Sequence, residues 1–329
     1  MRKIAKRNYG LDIYRIFCCV GVLVYHIADD IYTNSTAKLL FFAVSFCVPG
    51  FFVLSGYFAG AKKEVSFESC EKKAGKTLLK LFGWVCFWCI IRFFRITEFL
   101  NPAEQFFLSF KSEGIVPVGW FLFTYSGLLI IEKPLNYLLN KCRAVFALIT
   151  AALLVLNMFG ILAPYIGGRV QAFHVHLFPV YFMAGMLIGS FKDFKFKKKA
   201  LNYIAILLFS AGAAGSFVYL IKTADGFEPG ILPQTIYGTW FHTVSLLCFF
   251  VLFSKMPFFK AKFARTALEK MSANTFCVYM MHLPVYMYFA MTYPVISMKW
   301  VVFYVAAMFV LAQIVAEIFK KLPILRKIV

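Results

Sequence analysis

Residues 11–26 read Leu11-Asp12-Ile13-Tyr14-Arg15-Ile16-Phe17-Cys18-Cys19-Val20-Gly21-Val22-Leu23-Val24-Tyr25-His26, an apolar run that holds a cation and an imidazole eleven positions apart. At about 100° and 1.5 Å per residue, eleven steps along a helix bring His26 back to within roughly 20° of Arg15 and roughly 16 Å further along the axis. One helix face therefore carries both groups, three turns apart. Ionisable side chains in a membrane helix cost several kcal/mol unless they face a polar interior. The spacing predicts a helix that spans a membrane and lines a site with this face.

The rest of the chain has the same character. The residues are 61% hydrophobic, with 41 Phe and only 15% charged, which a water-soluble fold cannot bury. Apolar windows long enough to span a hydrocarbon core of roughly 30 Å fall near 11–30, 39–60, 77–97, 118–138, 144–163, 173–191, 200–221, 239–254, 273–293 and 298–318. The expected fold is all-α: a polytopic membrane protein of about ten transmembrane helices, with 1–329 forming one membrane domain and no appended soluble domain.

The formal charge of +20 is distributed by position. One set of connections collects the clusters around Arg7, Lys62 and Lys63, Lys72 to Lys80, Lys133 to Arg143, Lys192 to Lys199, Lys255 to Lys270, and Lys320 to Lys327. The other set holds few cations, mainly Lys38, Arg92, Arg95, Lys111, Arg169, Lys222 and Lys299. By the positive-inside rule the basic side and both termini are cytoplasmic. The charge thus reads as topology and attraction to the lipid bilayer, and nucleic acid is not an expected partner. A cleaved signal peptide is rejected, because Asp12 and Arg15 interrupt the apolar run and no small-residue cleavage pattern follows before Asp29 and Asp30. The nine cysteines sit mostly in apolar spans, including the Cys86/Cys89 pair, and read as packing; no metal-ligand spacing is present.

Several motifs resemble the bacterial acyltransferase-3 integral membrane family. Its first helix has the form LDxxR, ten residues, then His, matched by Leu11, Asp12, Arg15 and His26. The second span ends in the Phe-rich run Val48-Pro49-Gly50-Phe51-Phe52-Val53-Leu54-Ser55-Gly56-Tyr57. Further matches are Gly119-Trp120-Phe121-Leu122, Phe178-Pro179-Val180-Tyr181-Phe182-Met183-Ala184-Gly185, and Tyr279-Met280-Met281-His282-Leu283-Pro284. The resemblance spans nearly the whole chain. One departure stands out: where the family commonly has Arg-x-x-Arg before the third helix, this chain has Lys73-Ala74-Gly75-Lys76, which keeps the charge but lacks the guanidinium fork.

The resemblance implies an O-acyltransferase of the bacterial cytoplasmic membrane. It would move an acyl group, usually acetyl, from cytoplasmic acyl-coenzyme A to a glycan or lipid-linked glycan of the cell envelope, alongside glycan-synthesis enzymes. Arg15, Lys73 and Lys76 are then the expected partners of the donor phosphates at the inner mouth. Neutral imidazole removes a proton from a hydroxyl near pH 7, so His26 is expected either as general base or as a transient acyl carrier. Asp12, three residues before Arg15, is expected to pair with it.

His282 is read either as part of an acceptor pocket or as an interhelical hydrogen bonder. Trp120 is read as a sugar platform or a member of the aromatic belt. His174, His176 and Arg169 lie where an acceptor glycan would be held, or anchor the interface. Ser55 and Tyr57 are read as packing, with the Ser55-Gly56 pair letting helices approach closely, over the alternative of donors to the reacting carbonyl, and Asp29 and Asp30 are read as interfacial carboxylates. The competing class is a transporter or flippase for a glycan or small molecule. A ten-span bundle with buried charge suits it too, but no convincing internal repeat is present, and only the enzyme requires His26 and consumes acetyl-coenzyme A.

Overall fold

A computed structural model describes residues 7–28, 40, 43–158, 178–191, 198–223, 239–256, 261–290 and 297–329. These residues form twelve α-helices and no strand. In chain order they are α1 (Tyr9–Ala28), α2 (Cys47–Gly60), α3 (Phe67–Ile96), α4 (Pro102–Phe110), α5 (Trp120–Lys141), α6 (Arg143–Met158), α7 (Phe178–Ser190), α8 (Lys198–Thr223), α9 (Trp240–Ser254), α10 (Lys262–Ala273), α11 (Thr275–Ala290) and α12 (Met298–Lys321).

A helix lies in each of the ten predicted segments, and α4 and α10 are additional. Three stretches, Tyr9–Ile27, Phe67–Ile96 and Lys299–Lys321, are long and apolar enough to cross a membrane, and five shorter helices are also apolar. Large apolar side chains point outward, among them Phe94, Leu148, Leu207, Val302 and Phe303. Water would not tolerate so much exposed hydrocarbon, and a lipid surround does. The helix content and this surface mark a membrane protein.

α3 differs from its prediction in a way that bears on the site. It begins at Phe67, ten residues before the predicted span, where Ser66 Oγ accepts the Ser69 N–H at 3.2 Å and caps the helix. At 1.5 Å per residue the 30-residue helix is about 45 Å long. Lys73 and Lys76 are thus held on a helix instead of in a connection.

α1 lies at the centre, packed against α2, α9, α10, α11 and α12. Its Tyr14 ring is fully buried against Phe249, Phe250 and Phe253 of α9. The closest helix pair is α2 with α7, and glycines make it. A Cβ added at Gly56 would lie 1.9 Å from the Phe182 carbonyl oxygen, and one at Gly185 would lie 2.1 Å from that of Val53. Gly60 and Gly189 repeat the pattern one turn on, so the two backbones meet through reciprocal small-xxx-small stripes.

Gly56→Ala therefore forces backbone against backbone, and is expected to cost about 1–3 kcal/mol, read as a lower thermal midpoint in detergent. Gly75, in α3 with nothing within 4 Å of an added Cβ, is the control. Gly75→Ala should leave the midpoint unchanged or raise it, since alanine is the better helix former by about 1 kcal/mol.

Candidate functional site

The first turn of α1 carries a polar network. Arg7 grips Asp12 with two bonds, Nε to Oδ2 at 2.7 Å and Nη2 to Oδ1 at 3.0 Å. Ser272, at the end of α10, donates its hydroxyl to Asp12 Oδ1 at 2.7 Å, and Arg15 Nη1 donates to the same Ser272 oxygen at 3.2 Å. The expectation that Asp12 pairs directly with Arg15 is thereby corrected. Arg7, outside the helix and free to wrap back, takes the carboxylate, and Arg15 reaches it only through a serine. Among the described residues no carboxylate sits in ion-pair range of Arg15.

Arg15 points instead into a cavity of about 440 Å³. One face of α3 supplies Lys73, Lys76, Thr77 and Lys80, at spacings of three, four and seven residues. α2 supplies Phe51, Leu54, Ser55, Phe58 and Ala59, with Lys62 just beyond its end, and α5 supplies Phe121, Leu122, Tyr125, Leu129 and Glu132. Thr275, Phe276 and Tyr279 of α11 and Phe182 of α7 complete the wall. The sequence-predicted trio Arg15, Lys73 and Lys76 thus comes together, although 58 positions or more separate Arg15 from the lysines in the chain.

The cavity is polarised. Its cations gather at the mouth with one carboxylate, Glu132, which is 1% exposed, ion-paired to Lys62 and 3.8 Å from Lys73 Nζ. Further in, the wall is aromatic and aliphatic. Phe121 and Tyr279 belong to this part of the wall, with ring centroids 5.4 Å apart, and the Tyr279 hydroxyl donates to the Val118 carbonyl at 2.9 Å.

His26 does not line this cavity. Its ring is 5.2 Å from that of His282, and the His282 ring is 5.5 Å from that of Tyr279. The two histidines form a pair beside Tyr279, which lines the cavity. His282 is 2% exposed. Its neighbour Pro284 has no N–H for the carbonyl four residues earlier, that of Met280, and Trp88 Nε1 donates to that oxygen at 3.2 Å. Trp88 on α3 therefore pins the α11 segment that carries His282.

Residues 8–317 match the family model described as an acyltransferase domain, a stretch that holds Asp12, Arg15 and Ser272, the α3 lysines and the histidine pair. The chain belongs to the acyltransferase-3 family. Neither the curated proteins nor the solved structures include a match to it.

Other residues of this acyltransferase-3 chain stand as follows. Trp120 is outside the cavity and stacks on Phe178 at 5.5 Å. Ser55 lines the cavity but donates its hydroxyl to the Phe51 carbonyl of its own helix at 2.8 Å. Cys18, Cys19, Cys47 and Cys277 are free thiols buried in the core. Asp29, Asp30, Arg169, His174 and His176 lie outside the described residues. Glu132 escaped the sequence reading, yet the signal was present: it is a carboxylate inside the predicted span 118–138, and such a group is a site candidate by its cost alone. Lys62 and Lys80 were legible only as topology-setting charge. Among the described residues no cluster of His, Cys, Asp or Glu is arranged to hold a metal ion.

Proposed function

We propose that this chain is a membrane O-acyltransferase that moves an acyl group, acetyl in the first instance, from cytoplasmic acyl-coenzyme A to a hydroxyl of a cell-envelope polysaccharide or its lipid-linked precursor. The observation that carries this reading is the convergence of Arg15, Lys62, Lys73, Lys76 and Lys80 on the mouth of one cavity whose inner wall is apolar. A ligand that fits such a cavity is polyanionic at one end and carries an extended, weakly polar arm. Acyl-coenzyme A has that form: its phosphates meet the cations through charge-assisted hydrogen bonds, and its pantetheine arm lies along the aromatic wall.

The positive-inside rule supports a mouth on the cytoplasmic face with both termini on the same side, and membership of the family supports the bacterial inner membrane as the location. Roughly 16 Å of helix separates Arg15 from His26, a length an extended pantetheine arm covers, so the thioester arrives at the part of the wall that holds Phe121 and Tyr279. His26 then acts as general base. It takes the proton of the acceptor hydroxyl as that oxygen attacks the thioester carbonyl; the carbon–sulfur bond breaks, and the leaving thiolate takes the proton back from the imidazolium, releasing coenzyme A and an ester.

The test is transfer of labelled acetyl from acetyl-coenzyme A to envelope material, in membranes with and without the chain. Label that depends on the chain supports the reading. Absence of transfer from any acyl donor overturns it in favour of a transporter.

The ion pairs at the mouth carry a second expectation. Glu132 pairs with Lys62 and Lys73, so an incoming phosphate competes with it. Glu132→Gln removes the competitor and should lower the KM for acyl-coenzyme A, by about threefold to tenfold, while lowering thermal stability, because two lysines lose their buried partner. Opposite signs in the two measurements distinguish this role from simple damage.

A further inference from the structure

His282 is nearly fully buried, and its two ring nitrogens are treated differently. Nδ1 lies 2.6 Å from the carbonyl oxygen of Tyr279, whereas Nε2 has no hydrogen-bond partner among the described residues. A carbonyl only accepts, so Nδ1 carries the hydrogen, and in neutral imidazole the lone pair is then on Nε2. A buried acceptor without a partner costs about 1–3 kcal/mol, which calls for an explanation. Among the described residues the nearest imidazole is that of His26, with ring centroids 5.2 Å apart and planes at 41°. Ring nitrogens lie about 1.1 Å from a ring centroid, so His26 and His282 nitrogens aimed at each other across that gap would be about 3 Å apart, within hydrogen-bond range.

We infer that His282 is the positioning residue of the transfer: its free Nε2 lone pair receives the N–H of His26 and so fixes which His26 nitrogen faces the acceptor hydroxyl. This rests on the proposed function. The logic is that of any nucleophile activated by a base that a third group orients. Neutral His26 has one N–H and one lone pair. When the N–H is given to His282, the lone pair is left for the acceptor proton. After proton transfer the His26 imidazolium keeps its bond to Nε2, and the proton later leaves with the coenzyme A thiol, so neither imidazole changes its charge over the cycle. The Tyr279 carbonyl sets the His282 tautomer, and Trp88, by taking the Met280 carbonyl that Pro284 leaves open, holds that turn of α11 in place.

Two variants separate this role from a structural one. Asn at position 282 places an amide N–H where Nδ1 is, so His282→Asn keeps the bond to the Tyr279 carbonyl and loses the Nε2 acceptor. Gln is longer and places an amide oxygen near the Nε2 position, so His282→Gln restores the acceptor. In membranes with equal amounts of folded protein, His282→Asn is expected to lower kcat by roughly 10- to 100-fold with the KM for acetyl-coenzyme A unchanged, and His282→Gln to recover most of that loss. The reverse order, with Asn active and Gln impaired, would show that the Tyr279 bond is what matters and would overturn the inference, as would wild-type kcat in His282→Asn. A wild-type chain that transfers no acyl group overturns the proposed function itself, so the two failures are distinguishable.

Discussion

Membranes holding the His26→Ala chain are expected to incorporate labelled acetyl at roughly a hundredth to a ten-thousandth of the wild-type rate, the range a positioned general base supplies. The loss should fall on kcat. His26 is absent from the cavity wall, and the cations that would hold the donor lie at the other end of the cavity, so the KM for acetyl-coenzyme A should stay within about twofold. The folded state should survive as well. His26 is partly exposed and is not part of the Arg7–Asp12–Ser272 network that ties α1 to α10. Equal protein levels and an unchanged thermal midpoint would confirm that the substitution removed chemistry and not structure. Incorporation that persists in His26→Ala would move the base elsewhere. A stable labelled form of the wild-type chain, trapped in the absence of acceptor, would replace the base by an acyl-imidazole.

The first helix shows how much of this was legible in the sequence. Helical period and the cost of intramembrane charge put Arg15 and His26 on one face. The structure keeps both on α1 but gives them different surroundings, a cavity mouth for one and a second histidine for the other. Tyr279, from a helix far away in the chain, lines the cavity with Arg15 and lies 5.5 Å from the His282 ring, and local periodicity carries no information about such a neighbour.

The partner of Asp12 was missed for a related reason. Spacing along a helix favours a residue three positions on, whereas the observed partners are Arg7, on backbone that precedes the helix, and Ser272, 260 positions away. Hydropathy also overlooked α4 and α10. They are short and mixed in character, and α10 makes its contribution by tertiary contact: Tyr9 donates its hydroxyl to Glu269 at 2.8 Å, and Ser272 links Arg15 to Asp12. The glycine stripes of α2 and α7 were half legible. Ser55-Gly56 read as packing, but its counterpart Gly185 becomes visible only when the two helices lie side by side.

Replacing both α3 lysines, Lys73→Gln with Lys76→Gln, is expected to raise the KM for acetyl-coenzyme A by about tenfold to a hundredfold and to leave kcat at saturation nearly unchanged. The magnitude follows from the number and exposure of the groups. A hydrogen bond to a charged group contributes about 1.5–3 kcal/mol, and tenfold in affinity corresponds to about 1.4 kcal/mol. Lys73 is 41% exposed at its side chain and shares Glu132 with Lys62, so its contribution lies at the lower end. Lys76 has no carboxylate in ion-pair range among the described residues and is the freer of the two to meet a phosphate.

Lysine in place of arginine makes each contact a point charge without a fixed fork, which predicts tolerance. Either single substitution should cost less than half of the double variant's effect on a logarithmic scale, because the remaining ammonium, with Lys62 and Lys80 beside it, can shift to serve the same anion. Raising the salt concentration should weaken wild-type donor binding and should weaken it less in the double variant, since fewer cations remain to be screened. A double variant with wild-type KM and wild-type salt dependence would remove the α3 lysines from the donor site and leave Arg15 as the anchor to test next.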